Sequence, residues 1–277
     1  MPEDKFVQVN GLQLHYRDFG LQGQPVLLFM HGLTGNAHCF DHVAPQFART
    51  HHVLTLDFRG HGDSEWHPDG DYSIQRQISD VLAFLESLEV SSVSLIGSSL
   101  GGAVAMALGA IKPDLVVRVV LNDIGPQINL PEPDEAAKAL NLLEQQFSNV
   151  PDALEYYRRC YPPARILSDN IASEFVRSSL RVTDGGFMRW KADPRVQAVA
   201  PTSSTSGSSP GMWPLFDAVK APILVIRGAE SETLLASTVA KMASRRPDLR
   251  SVEIPGVGHT PWLSEPKALA ALQEFLR

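Results

Sequence analysis

The sequence predicts an α/β protein, a mostly parallel eight-stranded sheet with helices on both faces and an inserted helical cap. Three observations predict it. Predominantly apolar runs recur along the chain at Val26–Met30, Val53–Leu56, Leu115–Leu121 and Ile223–Ile226, as strands buried on both faces do. Between them lie segments of helical period: Ile74, Ile78, Val81, Leu82, Leu85 and Leu88 share one face. From about Gln127 to Pro214 the strand signal stops and helical segments take over.

In chain order, Phe6–Val9 and Leu12–Tyr16 flank Asn10-Gly11, a strong signal for a two-residue hairpin. The strand Val26–Met30 precedes a helix expected over Ala37–Phe47, and Val53–Leu56 precedes the amphipathic helix. Val93–Ile96 then runs into Gly97-Ser98-Ser99-Leu100-Gly101 and a small-residue helix that Pro113 closes. Leu115–Leu121 ends at Asn122-Asp123. The interruption carries expected helices at Asp134–Phe147, Asp152–Cys160 and Asn170–Leu180, and a flexible stretch from Pro201 to Pro210. The sheet resumes with Ile223–Ile226, a helix near Leu235–Ala243, a strand near Val252–Ile254 and a last helix from Lys267. The expected organisation is a sheet domain in two parts, 1–126 and 215–277, around a helical cap at 127–214.

The bulk numbers narrow the classes. At 277 residues and 44% hydrophobic the chain can bury a large core. A net charge of −7 argues against nucleic acid or an anionic membrane surface as partner but says little about a small-molecule substrate, which is the expected partner of an expected monomer or homodimer. Two cysteines are too few for a disulfide framework and lack metal spacing, so free thiols and no metal are expected. The polar N-terminal residues lead into no signal-type segment, and the expected location is cytoplasmic.

Chemistry concentrates at glycine-flanked turns. Strand, sharp turn and helix around Gly97–Gly101 is the context of a nucleophile elbow, with Ser99 at its tip. The plain alternative, a Gly/Ser turn without chemistry, loses ground once partners appear in compatible order. His31-Gly32-Leu33-Thr34-Gly35 ends the first buried strand and would aim the Leu33 N–H at the elbow, with the Leu100 N–H as second oxyanion donor. His31 itself reads as a structural residue beneath that loop. The base is expected to be His259, in the loop Gly256-Val257-Gly258-His259 after the last strand. His61 lies in Asp57–Ser64, which reads better as a turn fixed by glycines and by Asp57 and Arg59.

Together, His31-Gly32, the Asp57–Ser64 turn, Gly97–Gly102 and Gly258-His259 resemble the α/β-hydrolase fold family over nearly the whole chain outside the cap. The resemblance implies a cofactor-free hydrolase with a Ser–His–acid triad under a helical lid. The acid departs from the commonest pattern, because Ser231 stands where many relatives carry an aspartate. Asp123, at a neighbouring strand tip, is favoured over Glu232, with Glu230 third; relatives of the (acetamidomethylene)succinate hydrolase type place the acid there.

The expected reaction is cleavage of a small carboxylic ester, or a related amide or thioester, through an acyl-enzyme at Ser99. Hydrolysis of a C–C bond next to a carbonyl, lyase or perhydrolase chemistry on the same triad, and a receptor-like binding protein remain alternatives. The cap carries Arg158, Arg159, Arg165, Arg177, Arg181, Arg189 and Lys191, either a carboxylate clamp or a solvated surface. Met188, Trp190, Met212 and Trp213 could line an acyl pocket or pack the cap.

Overall fold

The computed structural model describes residues 2–129, 141–199 and 211–277. The hairpin forms as the Asn-Gly pair dictates: β1 (Glu3–Val9) and β2 (Leu12–Asp18) are antiparallel, with Asn10 and Gly11 both at positive φ. Then come β3 (Val26–Met30), β4 (His52–Leu56), α1 (Ile74–Ser87), β5 (Val93–Ser98), α2 (Leu100–Ile111) and β6 (Val116–Asn122). Within the insert lie β7 (Gln146–Phe147), α3 (Val150–Cys160), α4 (Asp169–Ser179), β8 (Leu180–Val182) and β9 (Met188–Trp190). The chain closes with α5 (Trp213–Ala218), β10 (Ile223–Gly228), α6 (Ala236–Arg245), β11 (Arg250–Ile254) and α7 (Pro266–Phe275).

The large sheet has eight strands in the order β1-β2-β4-β3-β5-β6-β10-β11, and every pairing from β4 to β11 is parallel. Alternation along β3 shows why its strands read as unbroken apolar runs. Leu28 and Met30 join the core against α1 and α2, while Leu27 and Phe29 face the core that holds Phe40, Phe47 and α7. Burying both faces leaves only the strand ends for chemistry. The parallel strands β3, β5, β6 and β10 all end on one rim.

Three expectations need correction. The helix at 37–47 is two short 3₁₀ turns, Ala37–Phe40 and Ala44–Gln46, separated just before Pro45, which has no N–H to continue a ladder. The insert is not purely helical: β7, β9 and β8 form a three-stranded antiparallel sheet. Its strands are two or three residues long and half exposed, too short for a period to show. Of the helix expected over 134–147, residues up to 140 lie outside the described residues. Asn141 is helical, and after it the chain tightens into a 3₁₀ turn, Leu142–Glu144, leading into β7. The stretch from Pro201 to Pro210 also lies outside them.

The insert has its own apolar core, built on Tyr157, Phe175, Val176 and Trp190. That core reaches the sheet domain through Trp262, with Leu33 and Cys39 packed against it. Cys39 and Cys160 are unpaired thiols. No helix among the described residues is long and apolar enough to cross a membrane.

Candidate active site

The site begins with a backbone constraint. Ser99 sits between β5 and α2 at φ 48° and ψ −111°, a conformation that costs a side-chain-bearing residue about 1–3 kcal/mol. Two glycines make it attainable. A Cβ on Gly97 would stand 2.2 Å from the Gly101 carbonyl oxygen, and one on Gly101 would stand 2.2 Å from that of Met30. The strained turn is tied down from both sides: Ser99 N–H donates to Asn122 O at 3.0 Å, and Gly101 N–H donates to His31 O at 3.1 Å.

At the tip of β6, Asp123 has φ 55° and a fully buried carboxylate. A buried charge requires donors, and three converge on it. Oδ1 accepts the Gly228 N–H at 2.9 Å; Oδ2 accepts the Ser231 hydroxyl at 2.5 Å and the His259 Nδ1–H at 2.7 Å. The other nitrogen of His259, Nε2, lies 3.0 Å from Ser99 Oγ. With Nδ1–H committed to the carboxylate, Nε2 presents its lone pair to the serine hydroxyl. The structure thus brings Ser99, His259 and Asp123 into one hydrogen-bonded line. Glu230 and Glu232 are exposed, and no hydrogen bond joins either to His259 among the described residues.

Gly32 runs beside the serine: a Cβ there would lie 3.5 Å from Ser99 Cβ. Leu100 opens α2, so its N–H has no intrahelical acceptor, and the Leu33 N–H takes no backbone acceptor among the described residues. His31 and His61 lie under this loop, fully buried and 5.0 Å apart ring to ring. Burial, aided by the neighbouring His61, pushes the His31 pKa down to about 3. The neutral His31 donates Nδ1–H to Gly32 O at 2.7 Å and accepts the Phe58 N–H on Nε2 at 3.1 Å. Burial also lowers His61; its single N–H belongs on Nε2, the shorter contact, 2.6 Å from Leu33 O. His61 therefore supports the loop and is not placed against Ser99.

Several residues went unrecognised in the sequence. Ser231 was read only as a missing aspartate, yet its hydroxyl meets Asp123. Asn122 donates to Ser98 Oγ and to Pro261 O, both at 2.8 Å, joining the elbow to the loop that carries His259. From the insert, the Tyr161 hydroxyl accepts the Thr260 N–H at 2.9 Å. Burial pushes the pKa of that phenol up to about 12, so it stays neutral. A polar residue at a strand tip was the available signal for Asn122; nothing local marked Tyr161.

Most of the insert's cations already have neighbours. Arg158 pairs with Asp169 and Lys191 with Asp63, while Arg181 and Arg189 lie over the Trp66 ring at 4.1 and 5.1 Å. Among the apolar candidates, Trp190 is buried in the insert core, and Trp213 packs on Phe216 beneath Lys241 and Arg245.

Comparison with known proteins agrees with this geometry. The profile of the alpha/beta hydrolase family matches residues 27–272. A 3-hydroxybutyrate-oligomer hydrolase of Cupriavidus necator is 31% identical, covering 99% of this chain and 97% of its own. A 2-(acetamidomethylene)succinate hydrolase of Mesorhizobium japonicum is 28% identical over 91% and 87% of the two chains. The crystal structure of an alpha/beta hydrolase from Novosphingobium aromaticivorans superposes with a TM-score of 0.86 at 31% identity, covering 99% of this chain and 98% of that one. The chain belongs to the alpha/beta hydrolase family and is an enzyme of that class.

Proposed function

We propose that this hydrolase cleaves a small carboxylic ester through an acyl-enzyme at Ser99, with His259 as general base and Asp123 as its orienting acid. The observation that carries this reading is the line from Ser99 Oγ to His259 Nε2 at 3.0 Å and from His259 Nδ1 to Asp123 Oδ2 at 2.7 Å. In the first step Ser99 Oγ bonds to the carbonyl carbon as its proton passes to His259 Nε2. The amides of Leu33 and Leu100 hold the oxyanion. Collapse breaks the bond to the alcohol, which takes the proton from His259. Water then attacks the acyl carbon by the same route, freeing the acid and restoring Ser99. Asp123 keeps the imidazole in the Nδ1–H tautomer and offsets its transient charge.

The insert, 127–214, acts on this reading as the cap that selects the acyl group, its apolar core meeting the loops of Leu33 and Trp262. The full-length relative that acts on 3-hydroxybutyrate oligomers supports an ester of a short hydroxy acid as the first substrate to try. Attack on another bond beside a carbonyl is the second reading, favoured by the relative that acts on (acetamidomethylene)succinate. Rates measured on 3-hydroxybutyrate dimer and trimer, p-nitrophenyl esters of two to eight carbons, and (acetamidomethylene)succinate separate the two. Ester turnover abolished by Ser99→Ala supports the proposal. Turnover of the succinate alone replaces it with the second reading, and ester turnover that survives Ser99→Ala refutes it.

A further inference from the structure

The loop that would supply the first oxyanion donor is held by three rings. Successive carbonyls of Gly32, Leu33 and Thr34 accept, in turn, His31 Nδ1–H at 2.7 Å, His61 Nε2–H at 2.6 Å and Trp190 Nε1–H at 3.1 Å. Glycines flank the segment, so its peptide planes would otherwise rotate easily. In a trans peptide the N–H points opposite the carbonyl, so holding the Gly32 carbonyl aims the Leu33 N–H the other way. Holding the next two carbonyls stops the following planes from dragging it round.

The third ring differs in origin. His31 and His61 belong to the sheet domain, whereas Trp190 comes from β9 of the insert. Its indole is 1% exposed, lies nearly parallel to Tyr157 with centroids 5.5 Å apart, and meets the edge of Phe175 at 6.3 Å. A ring so packed cannot turn its N–H elsewhere. A second tie joins the same two parts in the opposite sense, Asn36 Nδ2 donating to Ser179 Oγ of α4 at 2.7 Å.

We infer that the insert completes the oxyanion hole, with the Trp190 indole N–H as a positioning group for the loop Gly32–Thr34 and, through it, for the Leu33 amide. This rests on the acyl-enzyme reading above. The insert then has two duties, covering the substrate and fixing a donor that works only in the transition state. A group with the second duty alters kcat and leaves KM nearly untouched.

The test replaces one atom. Benzothienylalanine at position 190, introduced by stop-codon suppression, keeps the ring and removes the N–H; Trp190→Phe is the simpler companion. Removing an oxyanion donor outright typically costs about 10²–10³ in kcat, so loosening one is expected to cost about tenfold. The expected result is a kcat about tenfold lower on the best ester, KM within about threefold, and an equal fall in the fluorophosphonate inactivation rate. Val176→Ala, a packing change elsewhere in the insert core, should lower the melting temperature and leave kcat per labelled site unchanged. If both position-190 variants keep kcat within about twofold of the parent, the inference is wrong while the acyl-enzyme reading stands. A parent enzyme that neither labels at Ser99 nor turns over esters overturns that reading and this inference with it.

Discussion

Two aspartate–histidine pairs built on buried carboxylates sit in different parts of this molecule, and their first contacts are nearly the same. At the sheet rim His259 Nδ1 lies 2.7 Å from Asp123; beneath the 57–64 turn His15 Nδ1 lies 2.6 Å from Asp57. The difference is on the far side of each ring. His259 Nε2 faces the Ser99 hydroxyl from a side chain 27% exposed, whereas His15 Nε2 faces a second carboxylate, Asp4, from a side chain 2% exposed. Burial alone would lower His15, but the hydrogen bond and charge of Asp57 outweigh it, and its pKa is raised. Both ring nitrogens of His15 thus face carboxylate oxygens, and neither is turned toward a hydroxyl it could deprotonate. His259 is held by one acid, with a lone pair aimed at a hydroxyl. The third partner, not the dyad, separates an ion pair that supports the fold from a candidate base.

The same contrast explains why His15, Asp57 and Asp63, whose ligand-type atoms lie within 4.8 Å of one another, make a poor metal site. Asp63 is paired with Lys191, and Asp57 is already engaged by His15, the Ala37 N–H and the Asp63 N–H.

Breaking the rim pair should have the largest effect. His259→Ala is expected to lower kcat by about 10⁴-fold or more, and Asp123→Asn by about 10⁴-fold through the wrong tautomer. Steady-state kinetics alongside melting curves check this, with little change expected in stability for His259→Ala. Breaking the structural pair should do the reverse. Asp57→Asn is expected to cost about 3 kcal/mol in urea unfolding, because it leaves the buried His15 ring and the Ala37 and Asp63 amides without their charged acceptor, while kcat per active site stays near the parent's.

A smaller effect tests how the rim carboxylate is supported. Ser231→Ala removes one of three donors to Asp123, and kcat should fall about tenfold, in line with a hydrogen bond to a charge worth about 1.5–3 kcal/mol. Ser231→Thr, which keeps the hydroxyl, should recover most of it. Glu230→Gln and Glu232→Gln should stay within about twofold, as exposed substitutions do.

The smallest effect separates the histidines by pH. A raised folded-state pKa at His15 adds stability below the unfolded value of about 6.5, and that contribution is lost as pH rises through the folded pKa. His31 and His61, lowered by burial, work oppositely: their contribution is present above about 6.5 and fades on acidification, for His31 down to about 3. Unfolding free energies should therefore show His15→Gln costing more at acid than at alkaline pH, and His31→Asn flattening the fall of stability between about pH 6.5 and 3.

Much of this was legible in the sequence, for reasons that can be stated. β3 announces itself because burial on both faces removes polar residues from it. Ser99 stands out because only glycines fit two positions either side of so tight a turn. His259 could be named because its loop follows the last strand. The acid was not forced by any spacing, since Asp123, Glu230 and Glu232 all follow strand tips, and only coordinates show which carboxylate meets the imidazole. β7, β8 and β9 are too short to carry a period. Trp190 and Tyr161 were out of reach because their partners, Thr34 and Thr260, lie 156 and 99 residues away in sequence.

The most direct test is mass-spectrometric mapping of a fluorophosphonate probe on the folded protein and on two variants. The account predicts stoichiometric adduct on Ser99, loss of the adduct in His259→Ala, and an undiminished adduct in folded His15→Gln. Labelling that survives His259→Ala at the parent's rate, or fails on the folded parent, would contradict it.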